Sequence, residues 1–494
     1  MSRGAVHPWP GVARPRAARR CIRLGLVALM GCGTKEGDDD VQQSVFDVLS
    51  GDALQALVVA MGADRSPVVD ETNRWSGDAE AAALGEALFF DRRLSGSGGV
   101  SCGDCHLLDL HFTDGLPLPR VDGAPAGARH TPSVLNAGLQ RWQFWDGRCD
   151  TLWCQATGPI ESPLEMNLGR ADLGRVLLNA PDLRDPYLTL AGLPDELAAI
   201  ADEGEVGLPT ALLDTDRFPA GARPMPEAPE APEALAWATM APEDQAAATR
   251  LLVDLAKLIA AYEGQLVSGP APIDAYAAAL AADDPAAASA ALSPAAARGL
   301  LRFVTDGQCV LCHTGPLLSN LEFEAVGLPA ATGADPDDTG RYDGALRLQA
   351  QAFNAAGPWS DAPEGEAAAR LAVLRTDSTT LAHFKVPSLR EVAATAPYMH
   401  TGQLVDLRAV VDHYVEMDDE QPLGSRSPLL APLDWSDDDR ADVVAFLQSL
   451  SGDSAAAPAW GAPTRSVGRS KPRSGLSSPR SAPPSGSADA DHRP

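Results

Sequence analysis

Aromatic side chains are scarce in this sequence: Phe, Trp and Tyr together make up 5% of its 494 residues. With 45% apolar residues the chain can still fill cores with Ala, Leu and Val, but large flat apolar surface is in short supply unless something other than protein brings it. Basic side chains are also few. The 39 Lys and Arg face 67 Asp and Glu, giving a formal charge of −28, the opposite of the basic footprint that nucleic-acid binding needs. No apolar run reaches the roughly 18–20 residues that span a bilayer, so no segment reads as a membrane-spanning helix. Strand-like alternation is nearly missing as well, which leaves an all-α reading, mostly helical with long loops. A chain of this length carries two or three domains.

What is present begins at the N-terminus. Arg14, Arg16, Arg19, Arg20 and Arg23 precede the short apolar stretch Leu24 to Met30, followed by Gly31 and Cys32. A basic start, a brief apolar core and a small residue before the cut form the pattern of a secretory signal. Leu29-Met30-Gly31-Cys32 resembles the bacterial lipobox. The resemblance implies a lipoprotein signal peptide over 1–31, a lipidated Cys32, and a periplasmic protein held to the outer membrane only by that lipid. Gly33 to Gly37 and three Asp then read as a polar tether, with a short helix in the rest of 32–70. The exported address permits disulfides and is also where c-type haems are attached.

Further along, Ala82, Leu84, Leu88 and Phe89 recur at helical spacing. Residues 195–247 are acidic and rich in Pro and Ala, and read as a linker or surface insertion. Leu251, Leu252, Leu255, Leu258, Ile259 and Tyr262 predict an amphipathic helix over 248–264. Ser293 before Pro294 predicts a helix running to about Val304. The tail over 454–494 is basic, rich in Ser and Pro, and without periodicity, as disordered segments are.

Two short motifs carry the chemistry. Cys102-Gly103-Asp104-Cys105-His106 and Cys309-Val310-Leu311-Cys312-His313 are both Cys-x-x-Cys-His. This spacing presents two thiols to the two vinyl groups of a haem and brings the adjacent imidazole beneath the iron. Chance supplies roughly 0.002 such motifs in a chain of this Cys and His content, so a pair of them is specific. Zinc would need further ligands at suitable spacing, and a redox dithiol would be expected beside a βαβ pattern; neither is found. Two covalently attached haem c groups therefore also account for the shortage of aromatic residues.

With these motifs in register, the sequence resembles the bacterial di-haem cytochrome c peroxidases and MauG. The matching blocks run from Leu84-Gly85-Glu86-Ala87-Leu88-Phe89-Phe90-Asp91 through Trp145-Asp146-Gly147-Arg148 and Gln155 to Glu165-Met166. They resume with Phe384-Lys385-Val386-Pro387-Ser388-Leu389-Arg390 and Ala396-Pro397-Tyr398-Met399-His400. The resemblance implies two cytochrome c-like haem domains: an N-terminal peroxidatic domain over 71–270, interrupted by 195–247, and a C-terminal electron-transfer domain over 271–453. It implies Glu165 as acid/base for hydrogen peroxide, Gln155 as its hydrogen-bonding helper, Pro159 shaping the pocket, and Trp145 as an electron relay.

The departures from the family pattern are informative. Where resting peroxidases carry a blocking His, sixteen residues after His106, this chain has Asp122, which implies a first haem open to peroxide. His111 is close enough to His106 to need a sharp loop to reach the other haem face. At the second haem the family uses Met, and MauG uses Tyr; here the position is Tyr414, with Met417 as competitor on the same predicted helix. The family's calcium is held by an Asn side chain and by backbone carbonyls matching Thr395 and Pro397. The Asn has become His130, a ligand poorly suited to calcium. Cys149 and Cys154 stay open between free thiols and a disulfide, because a continuous helix would hold their Cα atoms about 8–9 Å apart.

These readings lead to a di-haem peroxidase with hydrogen peroxide as substrate and a small electron-donor protein, a cytochrome c or cupredoxin, as partner. A MauG-like oxidase of a protein substrate is the alternative, followed by a non-enzymatic di-haem electron carrier.

Overall fold

Several helices in this protein start where a side chain takes up a free backbone N–H, and others where a proline has none to give. The computed structural model describes residues 38–329, 331, 333–417 and 423–452. The expected signal peptide, Cys32 and the basic tail lie outside the described residues. The principal helices are α1 (Asp38–Leu49), α2 (Asp52–Met61), α3 (Ala79–Phe89), α4 (Leu152–Glu161) and α5 (Pro242–Glu263). They continue with α6 (Pro272–Ala281), α7 (Pro294–Val304), α8 (Leu407–Glu416) and α9 (Asp437–Gln448). Asp78 caps α3, Ser293 caps α7 and Asp406 caps α8, each accepting from the N–H three residues on. Pro242, Pro272 and Pro294 occupy first helical turns, where the missing N–H is not needed. Strand structure among the described residues is confined to two short ladders. They are β1 (Arg120–Val121) with β2 (Ala124–Pro125), and β3 (Phe323–Glu324) with β4 (Phe384–Lys385), both antiparallel.

Two apolar cores form, and they are built alike. The first gathers α3, α4, α5 and the segment between α4 and α5; the second gathers α1, α2, α6, α7, α8 and α9. In each, the helix leading to a Cys-x-x-Cys-His turn crosses a later helix at a glycine. A Cβ on Gly85 of α3 would lie 2.0 Å from the Leu258 carbonyl oxygen of α5. A Cβ on Gly299 of α7 would lie 2.0 Å from the Asp442 carbonyl oxygen of α9. Four residues beyond each glycine stands a buried phenylalanine, Phe89 or Phe303, with its ring 6.2 or 6.4 Å from the imidazole of the following motif. Gly85 and Phe89 thus repeat as Gly299 and Phe303, a spacing that periodicity alone did not single out.

Three expectations change. Asp38 to Asp40 open α1 instead of extending a tether, because carboxylates in a first turn suit the helix dipole. The apolar faces of α1 and α2 are buried against the second core, with Gln42 and Gln55 bonded to carbonyls of residues 280–292. No single helix among the described residues is long and apolar enough to cross a membrane. The Pro/Ala-rich stretch 195–247 is packed, not a linker: Leu197, Leu208, Leu212, Phe218 and Met240 are buried in the first core. Its prolines start turns and short helices, so a composition that reads as a linker goes with apolar positions that specify packing. Finally, α5 is not amphipathic in place. It is buried on all sides over its last three turns, and Asp254 and Lys257 survive there through Tyr187, Arg250, Arg74 and Asp361.

Cys149 and Cys154 form a disulfide, with a Cα–Cα distance of 5.6 Å. The loop that this requires is present: Cys149 bridges to Gln143 in extended backbone, Thr151 caps α4, and Cys154 lies in its first turn.

Gly299→Val should lower unfolding free energy by about 3 kcal/mol, as a side chain forced against backbone does. Gly51→Ala, whose Cβ meets nothing nearer than 3.5 Å, should change it by less than about 0.5 kcal/mol. Urea unfolding followed by circular dichroism separates the two. Replacing Cys149 and Cys154 together by Ala should cost about 2 kcal/mol in the same assay, the entropy of a short closed loop.

Candidate functional site

The first Cys-x-x-Cys-His unit is a single helical turn, Cys102–Cys105, followed by His106. Ser101 and Asp104 hold its start, and Asp104 is in turn paired with Arg92. The loop that follows doubles back through His111 and Phe112, both with left-handed backbone (φ 52° and 59°). That turn brings the Phe112 carbonyl 3.0 Å from His106 Nδ1. A carbonyl can only accept, so Nδ1 carries the proton and Nε2 is left as the nitrogen able to act as a ligand. The sharp loop needed for His111 to cross is therefore used to aim a carbonyl at His106 instead. The His111 ring stands 3.7 Å from the Glu391 carboxylate. Asp122 sits exposed on the hairpin between β1 and β2.

The second unit repeats the arrangement. Cys309–Leu311 form a short turn, and His313 Nδ1 lies 2.8 Å from the Leu318 carbonyl, again presented by a left-handed residue (φ 48°). All four motif thiols are unpaired and partly exposed. Burial pushes every one of them up, Cys105 and Cys312 to about 11, which is the reverse of what a redox dithiol needs. Among the described residues no group of three or more His, Cys, Asp or Glu gathers as a metal cage. Two thiols and one oriented imidazole, presented twice, fit a covalently held haem better than zinc or a dithiol.

Near the first unit, Gln155 and Pro159 lie one turn apart on α4 and share the face that the core leaves open. Pro159 has no N–H to give the Gln155 carbonyl four residues back. The chain then folds over, with the Met166 N–H bonded to the Pro159 carbonyl. The Glu165 charge acts on both Cys102 and Cys105. Burial raises its carboxyl above the ordinary value, against the opposing pull of Ser162 and Arg148. Sequence reasoning missed a second carboxyl here. Glu263, the last residue of α5, is 4% exposed, is pushed up to about 8 by burial, and also acts on Cys102.

The second unit opens onto a cavity of about 1800 Å³. Its walls include Cys309, Cys312 and His313, and also Tyr414, Met399 and His400. Met417 is not on the same helix face as Tyr414. Helix α8 ends at Glu416, and Met417 takes left-handed backbone (φ 52°), is buried, and lies away from the cavity walls. His413 is held to the Val326 carbonyl. Burial raises the Tyr414 phenol well above its ordinary value.

Trp145 lines the same cavity from the N-terminal half. Its ring N–H donates to the His130 carbonyl at 2.8 Å, and its own carbonyl accepts from the Lys385 N–H at 2.8 Å. The surrounding loop is clamped by cations that the sequence reading gave no role. Arg129 pairs with both Asp146 and Asp338, and Arg341 donates to the Gly147 carbonyl. Thr395, Pro397 and His130 also reach the cavity wall, but His130 Nδ1 is already bonded to the Leu116 carbonyl. A ring nitrogen with two backbone carbonyls is a poor donor set for calcium, which takes carboxylate and amide oxygens.

Comparison with known proteins agrees with this geometry. Residues 79–202 match the family described as di-haem cytochrome c peroxidase. The methylamine utilization protein MauG of Methylorubrum extorquens is 30% identical over 381 residues, covering 76% of this chain and 80% of that protein. The cytochrome c551 peroxidase of Pseudomonas aeruginosa is 30% identical over 372 residues, covering 75% of this chain and 78% of that protein. Among solved structures, the diheme peroxidase BthA of Burkholderia thailandensis shares the fold with a TM-score of 0.53, at 21% identity over 80% of this chain and 94% of that one. Coverage on this scale, with both Cys-x-x-Cys-His turns built alike, places the chain in the di-haem cytochrome c peroxidase and MauG family.

Proposed function

We propose that this chain is an exported peroxidase that reduces hydrogen peroxide at the Cys102–His106 unit, with electrons arriving through the Cys309–His313 unit. What supports the reading is that the Glu165 charge acts on both thiols of the first unit, with Gln155 and Pro159 on the open face of α4. Haem bound covalently at each unit supplies the redox chemistry, the two-electron, two-proton cleavage of H2O2 to two waters.

The chain's own residues handle the protons and the geometry. Glu165, ionised, takes the proton from the near oxygen of peroxide and returns it to the departing one, which leaves as the first water, while the two protons that complete the second water come from solvent. Gln155 orients the peroxide by hydrogen bonding, and Pro159 keeps that helix face clear. His106, its Nδ1 tied to Phe112, holds a single ligand orientation. Asp122 is exposed on its hairpin, and the loop that carries His111 is turned toward Glu391, which supports a first unit open on its far side. Trp145, fixed at both its ring and its carbonyl, bridges the two halves as relay. The acidic body suits a small basic donor, a cytochrome c or a cupredoxin, met in the periplasm by a protein anchored through lipid at Cys32.

One observation favours a second reading. Tyr414 reaches the second cavity while Met417 does not. An anionic oxygen ligand stabilises the higher iron charge and lowers the potential, which suits a MauG-like oxidase of a protein side chain better than an electron entry port.

Glu165→Gln should slow peroxide turnover at least tenfold while leaving the ferric spectrum unchanged; an unaltered rate would remove Glu165 from the chemistry. Because burial raises the Glu165 carboxyl and the ionised form is the base, kcat/KM should fall as pH drops through that raised value. The same limb should vanish in Glu165→Gln. Electron paramagnetic resonance of the ferric protein should give one high-spin and one low-spin signal, whereas two low-spin signals would contradict an open first unit. Steady turnover with reduced cytochrome c supports the peroxidase; none, with peroxide still consumed, supports the oxidase.

A further inference from the structure

Two Lys or Arg side chains line the large cavity, and they are differently placed. Arg390 is fully engaged, with both ends of its guanidinium on Asp274. Lys385 has no carboxylate within ion-pair distance. Its ammonium donates to the Gln140 side-chain oxygen and to the Trp142 carbonyl at 3.2 Å, both neutral acceptors. An ammonium has three donors, so one remains for the cavity. The nearest acid acting on it, Asp146, is already paired with Arg129 and Arg148. Burial pulls the Lys385 ammonium down to about 8, the mark of a cation set where its charge is not compensated.

Its position is fixed from both sides. Lys385 lies in β4, opposite Phe323 of β3, and its N–H donates to the Trp145 carbonyl. The cation therefore stands on the seam between the halves, on the same wall as Trp145. An uncompensated buried charge costs several kcal/mol, so whatever fills the cavity is expected to bring an anion to it. Haem carries two propionate carboxylates and otherwise offers apolar surface, which matches a largely apolar cavity with one free cation among the described residues.

We propose that Lys385 is the counter-cation of a propionate on the haem that fills this cavity, and that it sets the reduction potential of that haem. The proposal rests on reading the cavity as the second haem site. Lys385 acts as a positioning residue: its charge lies near the iron without touching it, and it favours the ferrous state because that state carries one positive charge less.

Spectroelectrochemical titration of the holoprotein tests this with K385M, K385R and Q140E. In K385M the ferric-to-ferrous ratio of the second haem at a fixed applied potential should rise about tenfold, a fall in midpoint of about 59 mV for a one-electron couple. K385R, which keeps the charge, should stay near wild type. Q140E keeps the lysine but gives it an internal carboxylate, and should lower the midpoint as K385M does. It decides the matter if K385M loads haem poorly. An unmoved midpoint in the loaded variants, or a shift in K385R as large as in K385M, overturns the role of Lys385 while leaving the haem site standing. A wild-type protein holding fewer than two haems per chain overturns the reading of the site itself.

Discussion

Each Cys-x-x-Cys-His turn in this protein depends on one hydrogen bond, from imidazole Nδ1 to a backbone carbonyl further along the chain. For His106 the acceptor is Phe112, and for His313 it is Leu318. The bond selects the tautomer and points Nε2 into the site, so a ligand nitrogen is ready before any prosthetic group arrives. Its cost is local. Both carbonyls are presented by residues with left-handed backbone, a conformation that side chains other than glycine rarely adopt and that persists only when the surroundings hold it. The surroundings here are the paired helix crossings at Gly85 and Gly299, which let Phe89 and Phe303 pack beside the two imidazoles. The same device, made twice from different sequence, gives the molecule its two-part plan.

The two parts meet along a seam of charge. Arg129 joins Asp146 of the first half to Asp338 of the second, Arg341 reaches back to the Gly147 carbonyl, and Lys257 of α5 holds Asp361. Buried ion pairs of this kind add little net stability, but breaking one leaves an uncompensated charge, so they favour one docking of the halves over others. Trp145 lies within this clamp, and so does Lys385. The relay role proposed for Trp145 needs a fixed position more than a particular contact, and the seam supplies it.

Much of this was legible in the sequence, and the reasons differ by element. Helix α7 was readable to the residue because Ser293 and Pro294 mark its start and the apolar face is continuous. The two Cys-x-x-Cys-His motifs were readable because their spacing is itself the signal. The stretch 195–247 was misread because Pro and acidic residues dominate its composition, while the few apolar positions that pack it carry no period. Met417 was misread because a helical projection assumes that the helix continues, and α8 ends one residue earlier. The disulfide needed the loop before α4, which follows from Thr151 as cap but not from the cysteine spacing. Lys385, Arg129 and Arg341 were out of reach, since their roles come from partners more than 190 residues away.

The account stands on the claim that each turn binds one haem through two thioethers. The most direct test is the intact mass of the denatured holoprotein, compared with that of the variant in which Cys102 and Cys105 are both Ala. The structure predicts polypeptide plus two haems for the native chain and plus one for the variant. A native chain with the mass of the polypeptide alone, or a variant that keeps both haems, would contradict it.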